Sequence, residues 1–132
     1  MEITAHLRDQ ELIRDVISRV AYILDAQEFN GLSEVFTDDL AFSNPGMLNA
    51  DSLDELVGKF EKLPTPAISH FVSNVAVTMQ SESRATAISK ALAMRPGGVI
   101  SAAEYSDRLV KTPHGWRIAA RTCRQLGDVQ VG

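Results

Sequence analysis

SHFVSNVAVTM, residues Ser69 to Met79, is the stretch on which the fold turns. Read by alternation, Phe71, Ser73, Val75, Val77 and Met79 share one face and His70, Val72, Asn74, Ala76 and Thr78 the other, the period of two that marks a strand. The first face is largely apolar, and the second carries an imidazole and an amide. Just upstream, Pro64-Thr65-Pro66 cannot continue a helix, because each proline lacks the donor and disfavours a helical residue before it. The chain therefore changes period here. Downstream, Arg84 to Met94 alternates again: Ala85, Ala87, Ser89, Ala91 and Ala93 oppose Thr86, Ile88, Lys90, Leu92 and Met94. A face made of such small side chains leaves space above a sheet. Pro96-Gly97-Gly98 turns the chain into Val99 to Thr112, and Pro113-His114-Gly115 turns it into Trp116 to Leu126, hairpin-sized connections that predict an antiparallel meander.

Before this stretch the period is helical. From Arg8 to Gln27, Ile13, Val16, Ile17, Val20 and Leu24 recur at spacings of three and four and form one apolar stripe. Ser18, Tyr22, Asp25 and Phe29 form a second stripe that mixes aromatic rings with a carboxylate, which a plain solvent face rarely needs. Asn30-Gly31 breaks the pattern, and Leu32, Val35 and Phe36 predict a short second helix ending before Thr37-Asp38-Asp39. Leu40 to Ser43 reads as a strand leaving by the Asn44-Pro45-Gly46 turn. Asp51-Ser52-Leu53-Asp54-Glu55 offers capping side chains for a third helix through Leu56, Val57 and Phe60 to about Leu63. Helices first and strands afterwards is the α+β pattern, with the helices gathered on one face of the sheet.

The chain has 132 residues, the size of a single compact domain, and one domain over 1–132 is expected. Its 45% hydrophobic and 23% charged residues are those of a globular protein. Thirteen Lys and Arg against seventeen Asp and Glu give a net charge of −4, with no basic block, so nucleic acid is not an expected partner. The single cysteine, Cys123, cannot form an intrachain disulfide, and no Cys/His spacing suits a metal. Met1 to Arg14 is charged throughout, and no run approaches the roughly 20 apolar residues of a membrane span. The expectation is a cytoplasmic protein without cofactor, metal or membrane contact.

The order helix, helix, short strand, helix and four long strands, with Ile68-Ser69-His70-Phe71-Val72-Ser73-Asn74 opening the meander, resembles the SnoaL-like branch of the nuclear-transport-factor-two-like superfamily. Tyr105-Ser106-Asp107-Arg108-Leu109-Val110 and the strand Gly115-Trp116-Arg117-Ile118 carry the same likeness, which covers nearly the whole chain. Within it the sequence is similar to the scytalone dehydratase group, since Asp25 followed by Phe29, and the pair His70-Phe71, fall where that group carries a helix carboxylate and a strand histidine. The resemblance implies a conical roll in which three N-terminal helices cover the concave face of a curved, mainly antiparallel sheet and enclose a deep apolar pocket. It departs from that group at Ser89, which stands in place of a second strand histidine, so a mechanism in which two histidines hold a water does not carry over.

His70 is the leading candidate for chemistry, because imidazole exchanges protons near neutrality. It shares its strand face with Asn74, and buried polar groups require partners. Asp25, facing it from the helix, would fix the histidine tautomer. Tyr22, one turn earlier, would position a substrate oxygen. The plain alternatives are a structural histidine, an exposed helix-end aspartate and a packed tyrosine ring. Tyr105 and Asp107 alternate inward with Leu109, although Asp107 equally suits an ion pair with Arg117, Arg121 or Arg124. Ser89, Asn74, Tyr105 and Asp107 are thus candidate substrate contacts, with Phe29, Phe42 and Phe60, joined by Phe36 and Met47, as apolar wall. His6 and His114 belong to solvated segments.

Two readings follow. One is a cofactor-independent lyase or isomerase, dehydratase-like, acting on a hydrophobic oxygenated small molecule with His70 as base. The other is a non-catalytic ligand-binding or subunit-interaction domain of the same fold. A homodimer is expected through the outer sheet face, where Phe71, Val75, Val77, Met79, Ile88, Leu92 and Met94 would form a patch rimmed by Lys90 and Arg108. The plain alternative is that the C-terminal strand and tail, Arg124 to Gly132, fold back over the patch, although that short segment offers only Leu126, Val129 and Val131 as apolar cover.

Overall fold

The computed structural model describes residues 3–132; Met1 and Glu2, which open the charged N-terminal stretch, lie outside the described residues. Helix α1 spans Ile3–Ala26. Its predicted stripe is the buried one, with Ile13, Ile17 and Val20 shielded from solvent. The helix stops where Gln27 takes a left-handed φ of 56°. There the Gln27 N–H donates to the Leu24 carbonyl at 3.1 Å and the Glu28 N–H to the Ile23 carbonyl at 3.2 Å. This reversal satisfies the last carbonyls without a glycine and leaves Asp25 in the final turn.

The expected second helix needs correction. Phe29–Glu34 is a stretch of 3-10 helix, and Phe36 with Thr37-Asp38-Asp39 opens strand β1, Phe36–Asn44. Its partner decides this: β1 runs parallel to the last strand of the chain, with Phe36 opposite Ile118 and Ala41 opposite Ala120. The Ile118 N–H donates to the Val35 carbonyl at 2.7 Å. Tertiary pairing outweighs the local three-residue spacing. After the Asn44–Gly46 turn, β2, Leu48–Ala50, returns antiparallel to β1. Helix α2, Leu53–Glu61, starts where the Ser52 hydroxyl accepts the Glu55 N–H at 3.1 Å.

Four long strands follow: β3 Ser69–Met79, β4 Arg84–Arg95, β5 Val99–Thr112 and β6 Gly115–Gln130. The sheet order is β2-β1-β6-β5-β4-β3, six strands with two free edges, mixed because β1 and β6 are parallel. The fold is therefore α+β, with α1 against β3 and β6 and α2 against β1. Ile13, Ile17, Leu40, Leu56, Leu109, Trp116 and Ile118 fill the core between these layers. The tail continues β6, with Gln130 opposite Val99, and so extends the sheet.

One irregularity redistributes the faces of β3. Ser73 pairs with Lys90 and Ala76 with Ile88, three steps on β3 against two on β4. Asn74, inside this bulge, has a φ of 55°. An extra residue reverses the alternation beyond it. His70 and Val72 keep the inner face, but so do Val75 and Val77 and Met79, which pack against the core. The expectation that these last three form the outer patch is corrected: the outer apolar residues are Phe71, Ile88, Leu92 and Met94.

Candidate active site

The last turn of α1 lies over the start of β3, and this crossing joins Asp25 to His70. Asp25 Oδ1 stands 2.6 Å from His70 Nδ1, and Asp25 Oδ2 accepts the His70 backbone N–H at 2.9 Å and the Ser69 hydroxyl at 3.4 Å. A carboxylate at a helix C-terminus faces the negative end of the dipole, which disfavours it. Three donors offset that cost and hold the group in one orientation. An ionised carboxylate only accepts, so Nδ1 donates and the neutral imidazole keeps its lone pair on Nε2. Both side chains are about one-fifth exposed. The ring is thereby held in one orientation by the carboxylate, with Nε2 left out of the contact.

The same imidazole borders a cavity of about 420 Å³. Val20 and Leu24 of α1, the aromatic trio Phe29, Phe42 and Phe60, and the alanines at 91, 93 and 103 line it. The trio interlocks, with ring centroids 5.8 Å apart for Phe29–Phe60 and 6.2 Å for Phe42–Phe60. The volume exists because the inner face of β4 is alanine where larger residues would reach the helices. On the cavity floor, Arg121 donates to both oxygens of Asp107, at 2.7 and 2.9 Å. Its guanidinium carbon lies 4.2 Å from the Tyr105 ring centroid. Burial alone would favour losing the Arg121 charge, but Asp107 outweighs it and holds the guanidinium above its ordinary value. Burial raises the Tyr105 phenol above its usual range, partly countered by Arg121, and pushes the Cys123 thiol up to about 11.

The sequence-derived candidates divide accordingly. His70, Tyr105, Phe29, Phe42 and Phe60 border the cavity, and Asp25 meets His70 as expected. Tyr22 does not border it: 78% exposed, it lies with Asp25 and Ser69 on a separate outer groove that His70 also touches. The stripe carrying Tyr22 leaves the helix on the solvent side of the contact with β3. Asn74 is exposed on the bulge, where its side-chain oxygen accepts the Ser73 hydroxyl at 2.7 Å. Asp107 is spent on Arg121 and is not among the cavity residues. Ser89 is buried and does not line the cavity, and its hydroxyl has no hydrogen-bond partner among the described residues. Arg121 and Arg95 were missed as cavity residues. The signal for Arg121 was its parity with Cys123 on β6, legible only once Asp107 and Arg121 are known to sit opposite each other.

The layering of α1 on a six-strand mixed sheet is the nuclear-transport-factor-two-like fold. The chain belongs to the SnoaL-like domain family, whose model matches residues 5–122. Among solved structures it is similar to a candidate scytalone dehydratase from Novosphingobium aromaticivorans, at 21% identity and a TM-score of 0.83 over 99% of this chain and 93% of that one. It is also similar to a type 2 hexachlorocyclohexane dehydrochlorinase, LinA, at 14% identity and a TM-score of 0.85 over 99% and 94% of the two chains. A third is an NTF2-like protein with a cystatin-like fold from Novosphingobium aromaticivorans, 23% identical with a TM-score of 0.80 over 91% and 83%. At these identities the likeness establishes the fold. No curated protein matches the sequence. Among the described residues no group of three His, Cys, Asp or Glu could hold a metal ion, and no helix is long and apolar enough to cross a membrane.

Proposed function

We propose that the protein is a cofactor-independent acid–base lyase or isomerase of the dehydratase type, acting on a hydrophobic oxygenated small molecule. The observation that carries this reading is the Asp25–Nδ1 contact at 2.6 Å, which leaves Nε2 as the free nitrogen of a ring bordering an apolar cavity. Nε2 takes a proton from a carbon next to a carbonyl, and the C–H electron pair becomes a carbon–carbon double bond as charge moves to oxygen. In the dehydratase variant that pair expels a neighbouring hydroxyl, which leaves as water with the proton the imidazolium returns. Asp25 stabilises the imidazolium in between. The Tyr105 phenol, kept protonated by burial and bordering the cavity, is the donor available to the oxygen on which negative charge develops. The dehydratase and dehydrochlorinase names of two structural relatives support elimination chemistry. A cytoplasmic setting is part of the proposal, supported by the one thiol, Cys123, being buried and unpaired.

The second reading, a binding domain without turnover, is favoured by Ser89: buried and apart from the cavity lining, it supplies no second acid or base. Exchange of the α-hydrogens of 2-tetralone with D2O, followed by NMR, separates the two. Catalysed exchange that falls roughly 10²- to 10⁴-fold in His70→Gln supports chemistry. Binding of the ketone with exchange no faster than buffer supports the binding domain.

A further inference from the structure

Two guanidinium groups border the cavity, and they are not equivalent. The charge of Arg121 is met by both oxygens of Asp107 and covered by the Tyr105 ring. Arg95, the last residue of β4, is half-buried, and its one side-chain hydrogen bond runs from Nε to the Ser101 hydroxyl at 2.8 Å. Among the described residues no carboxylate oxygen lies within 4.0 Å of it. Both terminal nitrogens of the fork are therefore without an anion. Partly desolvating a guanidinium without a counter-charge is unfavourable until an anion arrives. Glu61 also borders the cavity and Asp128 pairs with Ser101 across the strands, but both are exposed, where water screens their charge.

The position of this fork relative to the base is set by register. Ala93 stands between His70 on β3 and Ser101 on β5, and Arg95 is the next inward residue along β4. Two residues of strand span about 7 Å. The buried Ser101 hydroxyl, accepting from Nε, keeps its own hydrogen to donate. We infer that Arg95 and Ser101 form a subsite for a carboxylate, so that the molecule taken into this cavity is an apolar organic acid, its charged end on the Arg95 fork and its carbon skeleton beside His70. The planar fork matches two carboxylate oxygens at once. This assignment rests on the reading of the cavity as the substrate site, and not on His70 acting as a base.

The test measures binding of 2-naphthoate and of 2-naphthamide, nearly equal in shape, to the whole chain by calorimetry at pH 8. Charge-assisted hydrogen bonds predict a preference of about tenfold or more for the acid in the wild type. Arg95→Gln should bring the two affinities together by weakening only the acid, with the amide's unchanged affinity showing that the cavity is intact. Arg95→Lys should restore part of the preference. His70→Gln should keep it, which separates this subsite from the catalytic reading: lost α-exchange with retained acid preference leaves the subsite standing. Equal affinities in the wild type, an undiminished preference in Arg95→Gln, or no binding of 2-naphthoate at millimolar concentration would each overturn the assignment.

Discussion

Asp25 and His70, 45 residues apart in the chain, meet through two hydrogen bonds accepted by one carboxylate: one from the ring at 2.6 Å and one from the backbone N–H of the same histidine at 2.9 Å. The backbone contact fixes where the carboxylate sits, and the ring contact fixes which nitrogen carries the proton. Because the helix end and the strand start are tied at a single residue, the imidazole is oriented by the same contact that docks α1 onto β3.

Asp25→Asn tests that arrangement. An amide can keep one contact with the backbone N–H, but its NH2 group facing Nδ1 would favour the opposite tautomer. Turnover should drop roughly 10²- to 10⁴-fold with little change in KM. Steady-state kinetics of α-exchange read the split, and a loss confined to KM would contradict an orienting role.

Filling the alanine face tests whether the cavity is the binding site. Ala93 sits opposite His70 and borders the cavity. Ala93→Leu should abolish calorimetric binding of 2-naphthoate while far-UV circular dichroism stays native, because the added atoms occupy existing space. Retained affinity would move the binding site elsewhere.

Arg121 and Asp107 are both buried, so removing one partner strands the other. Arg121→Met is expected to destabilise by about 3–5 kcal/mol, and Arg121→Met with Asp107→Leu to recover much of that loss. Urea unfolding of the wild type and both variants checks it. Additive losses would mean that the pair is not coupled.

Cys123 supplies a pH dependence. Its thiol goes from an ordinary 9.0 to about 11 in the folded protein. The folded state then holds the proton more tightly than the unfolded state, so stability is complete below pH 9 and falls as pH rises from about 9 to 11, by up to about 2 kcal/mol. Wild type should therefore lose more stability than Cys123→Ala across that window. Iodoacetamide at pH 8 should modify the thiol only after unfolding, and rapid labelling of the native protein would refute the burial effect.

The outer sheet face is expected to pair with a second copy of the chain. Phe71 lies opposite Leu92, and Leu92 opposite Ala102, in a continuous apolar row. The ion pairs of Glu104 with Lys90 at 3.6 Å and Arg124 at 3.0 Å run beside it as a polar border. Sedimentation should give a dimer for the wild type and a single chain for Leu92→Asp. A single-chain wild type would refute pairing, and a dimeric variant would place the interface elsewhere.

Much of this was legible beforehand because periodicity is a local property. The stripe of Ile13, Ile17 and Val20, the proline break at 64–66 and the alternation from Ser69 onward placed α1, α2 and four strands, and hence the α+β class. The parity of Ala91, Ala93 and Tyr105 likewise placed them on the cavity face. Phe36 to Asp39 was misread because its strand exists only through a parallel partner distant in sequence. Asn74, Val75, Val77 and Met79 were misassigned because a single inserted residue inverts every side chain beyond it, and no alternation count reveals the insertion.

The sequence by itself determined α1, α2 and the four long strands, the small-residue face and the chemistry available, since propensity, capping and period act over a few residues. Tertiary structure alone decided which groups meet. Asp25 reaches His70 because α1 stops at Gln27 and crosses β3 there, and Tyr22 misses the cavity for the same reason. Asp107 is consumed by Arg121 because β5 and β6 pair in that register, while Arg95 has no carboxylate in reach among the described residues and stands at the cavity edge. Distances between strands and helices are set by packing over the whole chain, and no window of sequence contains them.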